Sequence, residues 1–300
     1  MMLKAVIDIG TNSVKLCMGE VSDGYILRTI LDVNKITKLG EKMGTDGRMT
    51  EEAISRTADA VSYYVKEAKS RGCQSITIVG TMALRSASNA DELKKCIKSL
   101  TNIDVRTLSG AEEAELSYRA AASAVEAGPE TEILTFDTGG GSTEFVFGKN
   151  GSITEDTSLN IGAVRITEKY FSPLPVTEEK LKEALAGIRE ELMAGHILRS
   201  CENVVAMGGN VTSMAAIALG LEKYDAQKVQ GSRLTLEEVR SQVKRFASST
   251  VEEIRSIKGL NPARAEIILA GASIVLSVME ITGASYITVC DRGLRHELLR

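Results

Sequence analysis

The chain has no tryptophan, only two histidines and four prolines, and aromatic residues make up 4% of it. His196 and His296 lie far apart, and neither has a partner at metal-ligand spacing, which argues against histidine catalysis and a histidine-based zinc site. The five cysteines (Cys17, Cys73, Cys96, Cys201 and Cys290) are scattered, odd in number and never form C-x-x-C. They read as free thiols of a reducing, cytoplasmic compartment, not as a disulfide or zinc framework. No apolar run approaches the ~20 residues of a membrane span. The opening MMLKAVIDIG is short and ends its apolar run in an aspartate, so it reads as a strand and not as a signal peptide. An excess of one charge is missing too: 36 Lys and Arg stand against 40 Asp and Glu, a formal net charge of −4. No global basic field points to nucleic acid or to an anionic membrane. A polyanionic ligand would have to be met by a local cluster of cations and backbone N–H groups.

What is present is a 300-residue chain with 43% hydrophobic and 25% charged residues, the mix of a globular protein with room for two domains. It contains itself. Residues 5–19 read AVIDIGTNSVKLCMG and residues 134–148 read LTFDTGGGSTEFVFG. Asp8 matches Asp137, Gly10 matches Gly139, Ser13 matches Ser142 and Gly19 matches Gly148, each 129 residues on. A second pair, 75–87 and 202–216, aligns Gly80 with Gly208 at an offset of 128. Two matches at nearly one spacing point to a duplicated domain.

Each copy opens with an apolar strand, a glycine turn at the aspartate and a second strand, which so short a turn makes antiparallel. Strands then alternate with helices. Ile54, Ala58, Val61, Val65 and Ala68 share one face of a helix over 51–71 capped by Thr50, and Gly72 ends it before a strand at Ser75–Val79. Asn89 is placed to cap a helix over 90–100, Ile103–Thr107 is a short strand, and 110–127 is an Ala/Glu-rich helix. Gly128-Pro129 breaks the chain, so the domains are expected at 1–127 and 128–300. The second half repeats the scheme, with strands near 132–137, 143–148, 153–158 and 203–207. Helices follow near 162–171 and 177–194, then a long apolar helix over 262–282, a strand at Tyr286–Cys290 and a terminal helix. The class is α/β with mixed sheets.

Glycine lets backbone approach an anion closely, and successive N–H groups of such a turn form a nest for phosphate. Three consecutive glycines, Gly139 to Gly141, are costly in a plain hairpin, and the motif occurs twice with an aspartate each time. Asp8 and Asp137, expected at strand ends facing one cleft, suit Mg²⁺ (or Mn²⁺) held through water, with Glu144 as a third acidic candidate. Arg85 follows the turn at Gly80 and is placed to grip a phosphate. Glu112, Glu113 and Glu115 open a helix after Ser109-Gly110. They either complement its dipole or supply a general base.

DIGTNS, GTMALRSASN, SGAEEA, DTGGGSTE, LNIGAVRITEKYF and DRGLR occur in this order from about residue 5 to residue 298. Together they resemble the exopolyphosphatase and guanosine pentaphosphatase (Ppx/GppA) family. The resemblance implies an actin-like fold: two ribonuclease-H-like domains with an interdomain cleft, the last helix packing back on the first domain. It implies that Glu113 is the catalytic glutamate and that Asp8, Gly10, Thr11, Asn12 and Ser13 line one phosphate loop. Asp137, Gly139, Gly140, Gly141, Ser142 and Glu144 would form the other, with Arg85 as the phosphate-binding arginine and Mg²⁺ as the usual metal. A homodimer is a further implication. Thr11, Lys15, Asn210 and Glu297 depart from the common pattern. The longer members' extra C-terminal helical region has no counterpart here, so the chain resembles the short members.

The expected chemistry is in-line attack on a terminal phosphorus by water that Glu113 orients and deprotonates. Inorganic polyphosphate is the leading substrate and guanosine pentaphosphate, or another nucleoside polyphosphate, the runner-up. A non-catalytic alarmone or polyphosphate sensor is the reading of a different class. Lys35, Lys38, Lys42, Arg48 and Arg165 are candidates for a polyphosphate channel.

Overall fold

The computed structural model describes residues 1–41, 47–126, 128 and 130–300. Lys42 and Pro129 lie outside them. The chain forms two compact units, Met1–Ser117 with Gly293–Arg300, and Tyr118–Arg292. The division falls inside a helix, where the sequence suggested 127/128.

In the first unit β1 (Met2–Ile9), β2 (Ser13–Ser22) and β3 (Tyr25–Ile36) run antiparallel in succession. Then come α1 (Glu51–Ser70), β4 (Ser75–Gly80), α2 (Met82–Ser86), α3 (Ala90–Thr101), β5 (Val105–Thr107) and α4 (Gly110–Ala122). The sheet order is β3-β2-β1-β4-β5, with β4 parallel to β1 and β5 parallel to β4. The α1 face is the expected one: Ile54, Ala58, Val61, Val65 and Ala68 are buried as α1 packs against β1, β2 and α3, and the Thr50 hydroxyl accepts from Ala53 N–H. Asn89 does not cap α3. Its buried amide is spent on the backbone of Met49, accepting from the N–H and donating to the carbonyl, because that backbone would otherwise be buried unpaired.

In the second unit β6 (Ile133–Thr138), β7 (Thr143–Lys149) and β8 (Ser152–Leu159) again form an antiparallel run. They lead into α5 (Ala163–Tyr170), α6 (Glu178–Ala194), β9 (Val204–Met207), α7 (Gly209–Ala218) and α8 (Ala226–Val229). Next are β10 (Arg233–Thr235), α9 (Leu236–Ala247), α10 (Val251–Arg255), a 3₁₀ turn at Pro262–Arg264, α11 (Ile268–Thr282) and β11 (Tyr286–Val289). The order β8-β7-β6-β9-β11 repeats that of the first sheet, and β10 adds one antiparallel edge strand. Helix α11, apolar on every side, is buried through most of its length and forms the centre of this unit's core. The expected helix over 262–282 thus begins only at Ile268, with Asn261 capping a separate 3₁₀ turn before it.

The two copies share their register. Asp8 lies between Lys15 on β2 and Val79 on β4; Asp137 lies between Glu144 on β7 and Met207 on β9. β3 was not anticipated from sequence, because register shifts at Met18/Gly19 and Glu20/Val21 break its alternation. The three-residue β10 was not anticipated either.

The C-terminal residues return to the first unit through α12 (Leu294–Glu297) and the buried Leu299. Arg295 grips Asp32 on β3 with two hydrogen bonds of 2.9 and 2.7 Å, and Lys4 Nζ donates to the Arg300 carbonyl. His296 and Cys17 also approach Asp32. Arg295 already occupies both oxygens of that carboxylate, and His296 Nδ1 accepts from Gly293 N–H, so the cluster is a structural tie and not a metal site. Among the described residues no helix is long and apolar enough to cross a membrane.

The matched glycines Gly19 and Gly148 both sit at register shifts. A Cβ at Gly148 would fall 2.4 Å from the Ser152 carbonyl oxygen and 2.6 Å from Tyr118 Cζ, whereas at Gly19 the nearest atom is 3.1 Å away. Gly148→Ala is therefore expected to cost about 2–3 kcal/mol and to lower the melting temperature by several degrees, with Gly19→Ala milder. Calorimetry showing wild-type melting for Gly148→Ala would contradict this packing.

Candidate active site

A hairpin turn binds an anion only if its N–H groups face outward, and here the carbonyls settle that. In the first unit Gly10 N–H closes the turn on the Ser13 carbonyl at 3.0 Å. The Thr11 carbonyl accepts from Gly40 N–H, and the Asn12 carbonyl accepts from the N–H groups of Thr37 and Lys38. In the second unit Gly139 N–H closes on the Ser142 carbonyl at 2.9 Å. Ala163 N–H donates to the Gly139 carbonyl and Val164 N–H to the Gly140 carbonyl. A trans peptide points its N–H opposite its carbonyl. Anchoring the carbonyls inward therefore turns the N–H groups of Asn12, Gly140 and Gly141 outward, and all three residues are exposed. The close approach of α5 requires glycine at 162, where a Cβ would fall 2.4 Å from the Gly140 oxygen. Gly162 lies in the LNIGAVRITEKYF motif and Lys38 was a channel candidate, but the role of holding another segment's backbone was not anticipated for Gly162 or the 37–40 segment.

Asp8, at the end of β1, is 3% exposed. Its Oδ2 lies 3.7 Å from Lys15 Nζ, and its buried Oδ1 has no hydrogen-bond partner. Burial pushes its carboxyl above the usual range, against the pull of Lys15 and Arg295. Lys15 occupies in the first copy the cross-strand position that Glu144 occupies in the second. Asp137 thus faces a carboxylate where Asp8 faces an ammonium. Glu144 Oε1 accepts from the hydroxyls of Ser142 at 2.5 Å and Ser158 at 3.0 Å.

The three glutamates of α4 separate by their bonds. Glu112 accepts from Ser109 N–H, while Ser109 Oγ accepts from Glu112 N–H, a reciprocal cap. That Ser109 bond, with help from Arg106, holds the Glu112 carboxyl below its usual range. Glu112 is therefore committed to the helix start. Glu113 Oε2 instead accepts from Arg85 Nη1 at 2.7 Å, and the same nitrogen donates to the Leu108 carbonyl at 3.0 Å. Glu113 is also close enough to Asp8 for the two carboxylates to repel. The first unit thus brings together Asp8, the Thr11–Asn12 turn, Arg85 and Glu113.

The second unit holds a cation that the sequence did not single out. The Arg264 guanidinium lies across Gly209, where a Cβ would fall 1.7 Å from Nη2, and its charge is offset by Asp137. Asp137 Oδ1 in turn lies 2.5 Å from where a Gly208 Cβ would sit, at φ +94°. The 3₁₀ turn before α11 is what delivers Arg264 there. Asn210, beside it at the start of α7, is buried against Gly271 with Oδ1 unpaired. Of the proposed channel cations, Lys38 and Arg165 donate backbone N–H to the two turns, Arg48 pairs with Glu92, and Lys35 lies 5.8 Å from the Tyr63 ring centre.

The model of the Ppx/GppA phosphatase family matches residues 6–300. The chain belongs to that family. The Aquifex aeolicus Ppx/GppA phosphatase crystal structure superposes with a TM-score of 0.90 at 34% identity, covering 100% of this chain and 98% of that one. The fold is accordingly the actin-like two-domain fold of the Ppx/GppA crystal structures. Among curated relatives of this family protein, the bifunctional 3-dehydroquinate synthase/phosphatase of Fusobacterium nucleatum is 31% identical over 96% of the chain but 45% of its own length. Exopolyphosphatase 2 of Mycobacterium tuberculosis is 28% identical over 97% of the chain and 95% of its own length. The guanosine-5'-triphosphate,3'-diphosphate pyrophosphatase of Photobacterium profundum is 26% identical over 99% of the chain and 58% of its own length. The chain therefore spans about half the length of two of these relatives and nearly all of the third.

Asp8 is the candidate site residue whose burial and charge oppose each other. Its folded carboxyl holds a proton more tightly than the unfolded chain does, so the ionised form costs stability at neutral pH, and the cost fades as pH falls through the raised folded value and is gone below the unfolded value of 3.8. Asp8→Asn is expected to raise the melting temperature at pH 7 by a few degrees, on the order of 1 kcal/mol, and to lower phosphatase turnover. The gain should vanish near pH 3. A lower melting temperature at pH 7 would contradict the assignment.

Proposed function

We propose that this Ppx/GppA-family phosphatase is an exopolyphosphatase that releases terminal orthophosphate from inorganic polyphosphate. The observation that carries the reading is Glu113: a half-buried carboxylate freed from helix capping by Glu112, bonded to Arg85 and near enough to Asp8, the aspartate just before the first turn, to repel it. The Mycobacterium tuberculosis relative supports polyphosphate over a nucleotide, because its match runs the length of both chains, whereas the Photobacterium profundum match covers 58% of that relative.

Glu113 accepts a proton from water as the water oxygen attacks the terminal phosphorus. The bond from that phosphorus to the bridging oxygen breaks, and the shortened polyphosphate leaves with the electron pair. In the first unit Arg85 and the outward N–H of Asn12 carry negative charge on the non-bridging oxygens, which is most of what phosphoryl transfer requires. In the second unit the N–H groups of Gly140 and Gly141 and the Arg264 guanidinium offer donors of the same kind. Each unit has oxygen donors that fit a divalent metal: in the first, Asp8 has an unpaired buried oxygen, and in the second, Asp137 and Glu144 stand opposite each other across β6 and β7. Bound there, Mg²⁺ would neutralise phosphate charge. The alternative substrate is the terminal phosphate of guanosine pentaphosphate, supported by the name of the Photobacterium profundum relative.

Glu113→Gln is expected to lower phosphate release from polyphosphate at least about a hundredfold. Near wild-type release would remove Glu113 from the role of base. Side-by-side release from long-chain polyphosphate, tripolyphosphate and guanosine pentaphosphate tests the substrate. Higher kcat/KM on polyphosphate supports the proposal, and higher kcat/KM on guanosine pentaphosphate overturns it.

A further inference from the structure

The arginine proposed to bind the substrate is held by the carboxylate proposed to activate the water. Arg85 Nη1 is shared between Glu113 Oε2 at 2.7 Å and the Leu108 carbonyl at 3.0 Å. Both side chains of the ion pair are 30% exposed. Nε and Nη2 of Arg85 donate to no protein atom among the described residues, so the guanidinium fork keeps free donors for an incoming anion. A partly exposed ion pair is weakly held. A phosphate group brings more charge and takes the planar fork by two parallel hydrogen bonds.

We propose that Arg85 is a substrate-displaced latch: it neutralises Glu113 in the resting protein and exchanges that carboxylate for a terminal phosphate on binding. The inference rests on the roles proposed above for these two residues. The phosphate docks on the free Nε and Nη2 donors and then draws Nη1 from Glu113. The carboxylate oxygen that had been accepting from Arg85 becomes available to water only when a phosphate is in place. The exchange moves no proton and breaks no covalent bond. Repulsion between Glu113 and Asp8 adds to the need for a cation at Glu113 in the resting state. Glu112 cannot substitute, since its oxygens are held by Ser109 N–H and Arg106.

The consequence is competition: Glu113 and phosphate contend for one guanidinium, so the base weakens binding of the anion it serves. The test is a double-mutant cycle read by binding of inorganic phosphate, which is not turned over. Wild type, Glu113→Gln, Arg85→Gln and the double variant are titrated by calorimetry or ³¹P NMR. With Arg85 present, Glu113→Gln is expected to tighten phosphate binding about fivefold. With Arg85 replaced, the same change should alter binding less than about twofold. An equal gain in both backgrounds would mean simple removal of a negative charge and would overturn the latch, as would no gain in Glu113→Gln alone. If Arg85→Gln does not fold, Arg85→Lys takes its place. Its ammonium lacks the fork, so the gain from Glu113→Gln should be smaller than with arginine, and an undiminished gain overturns the proposal. Turnover by Glu113→Gln is read separately. Its survival would sink the catalytic role, whereas the binding cycle alone decides the latch.

Discussion

Each candidate anion-binding turn depends on where its backbone carbonyls point. Thr11, Asn12, Gly139 and Gly140 each give their carbonyl oxygen to a neighbouring segment of their own unit. The planar trans peptide then leaves the N–H groups of Asn12, Gly140 and Gly141 facing solvent. In the first copy the anchor is the backbone after β3, and in the second it is the first turn of α5. Aspartates at matched positions in the two sheets precede these turns, and the glycines allow the close approach that the anchoring needs. Without the anchors, each turn would be an ordinary hairpin free to present either face of its peptides.

On this shared frame the two copies have diverged in charge. The first pairs Asp8 with Lys15, and with Arg85 and Glu113 it carries the groups suited to water activation. The second sets Asp137 opposite Glu144 and brings Arg264 alongside, a set suited to holding phosphate and a hard cation. Duplication therefore supplied two turns with outward N–H groups, and substitutions at a few cross-strand and helix-start positions gave them different charged surroundings. Glu112 and Glu113 show how fine the distinction is: adjacent carboxylates on one helix turn, one used by the backbone and the other by Arg85.

Much of the fold was legible because its signals are local. The repeat of Asp-x-Gly-x-x-Ser, the apolar face of α1 and its Thr50 cap all survive in the structure. Asn89 misled because a capping residue type was instead recruited by a distant backbone segment. β3 escaped because its bulges break the period of two. The pairing of Arg85 with Glu113 joins residues far apart in sequence and leaves no pattern in it. Arg264 was invisible for the same reason, and its 3₁₀ turn reads as part of one long helix. Gly162 looked like any loop glycine until its contact with the Gly140 carbonyl gave it a reason.

The most direct test of the central claim is backbone amide NMR of the Glu113→Gln protein titrated with tripolyphosphate. Outward-facing N–H groups that bind phosphate should produce saturable shifts at Asn12, Gly140 and Gly141, with the inward-closed N–H groups of Gly10 and Gly139 moving less. Saturable binding that leaves all three outward amides unshifted would contradict the account.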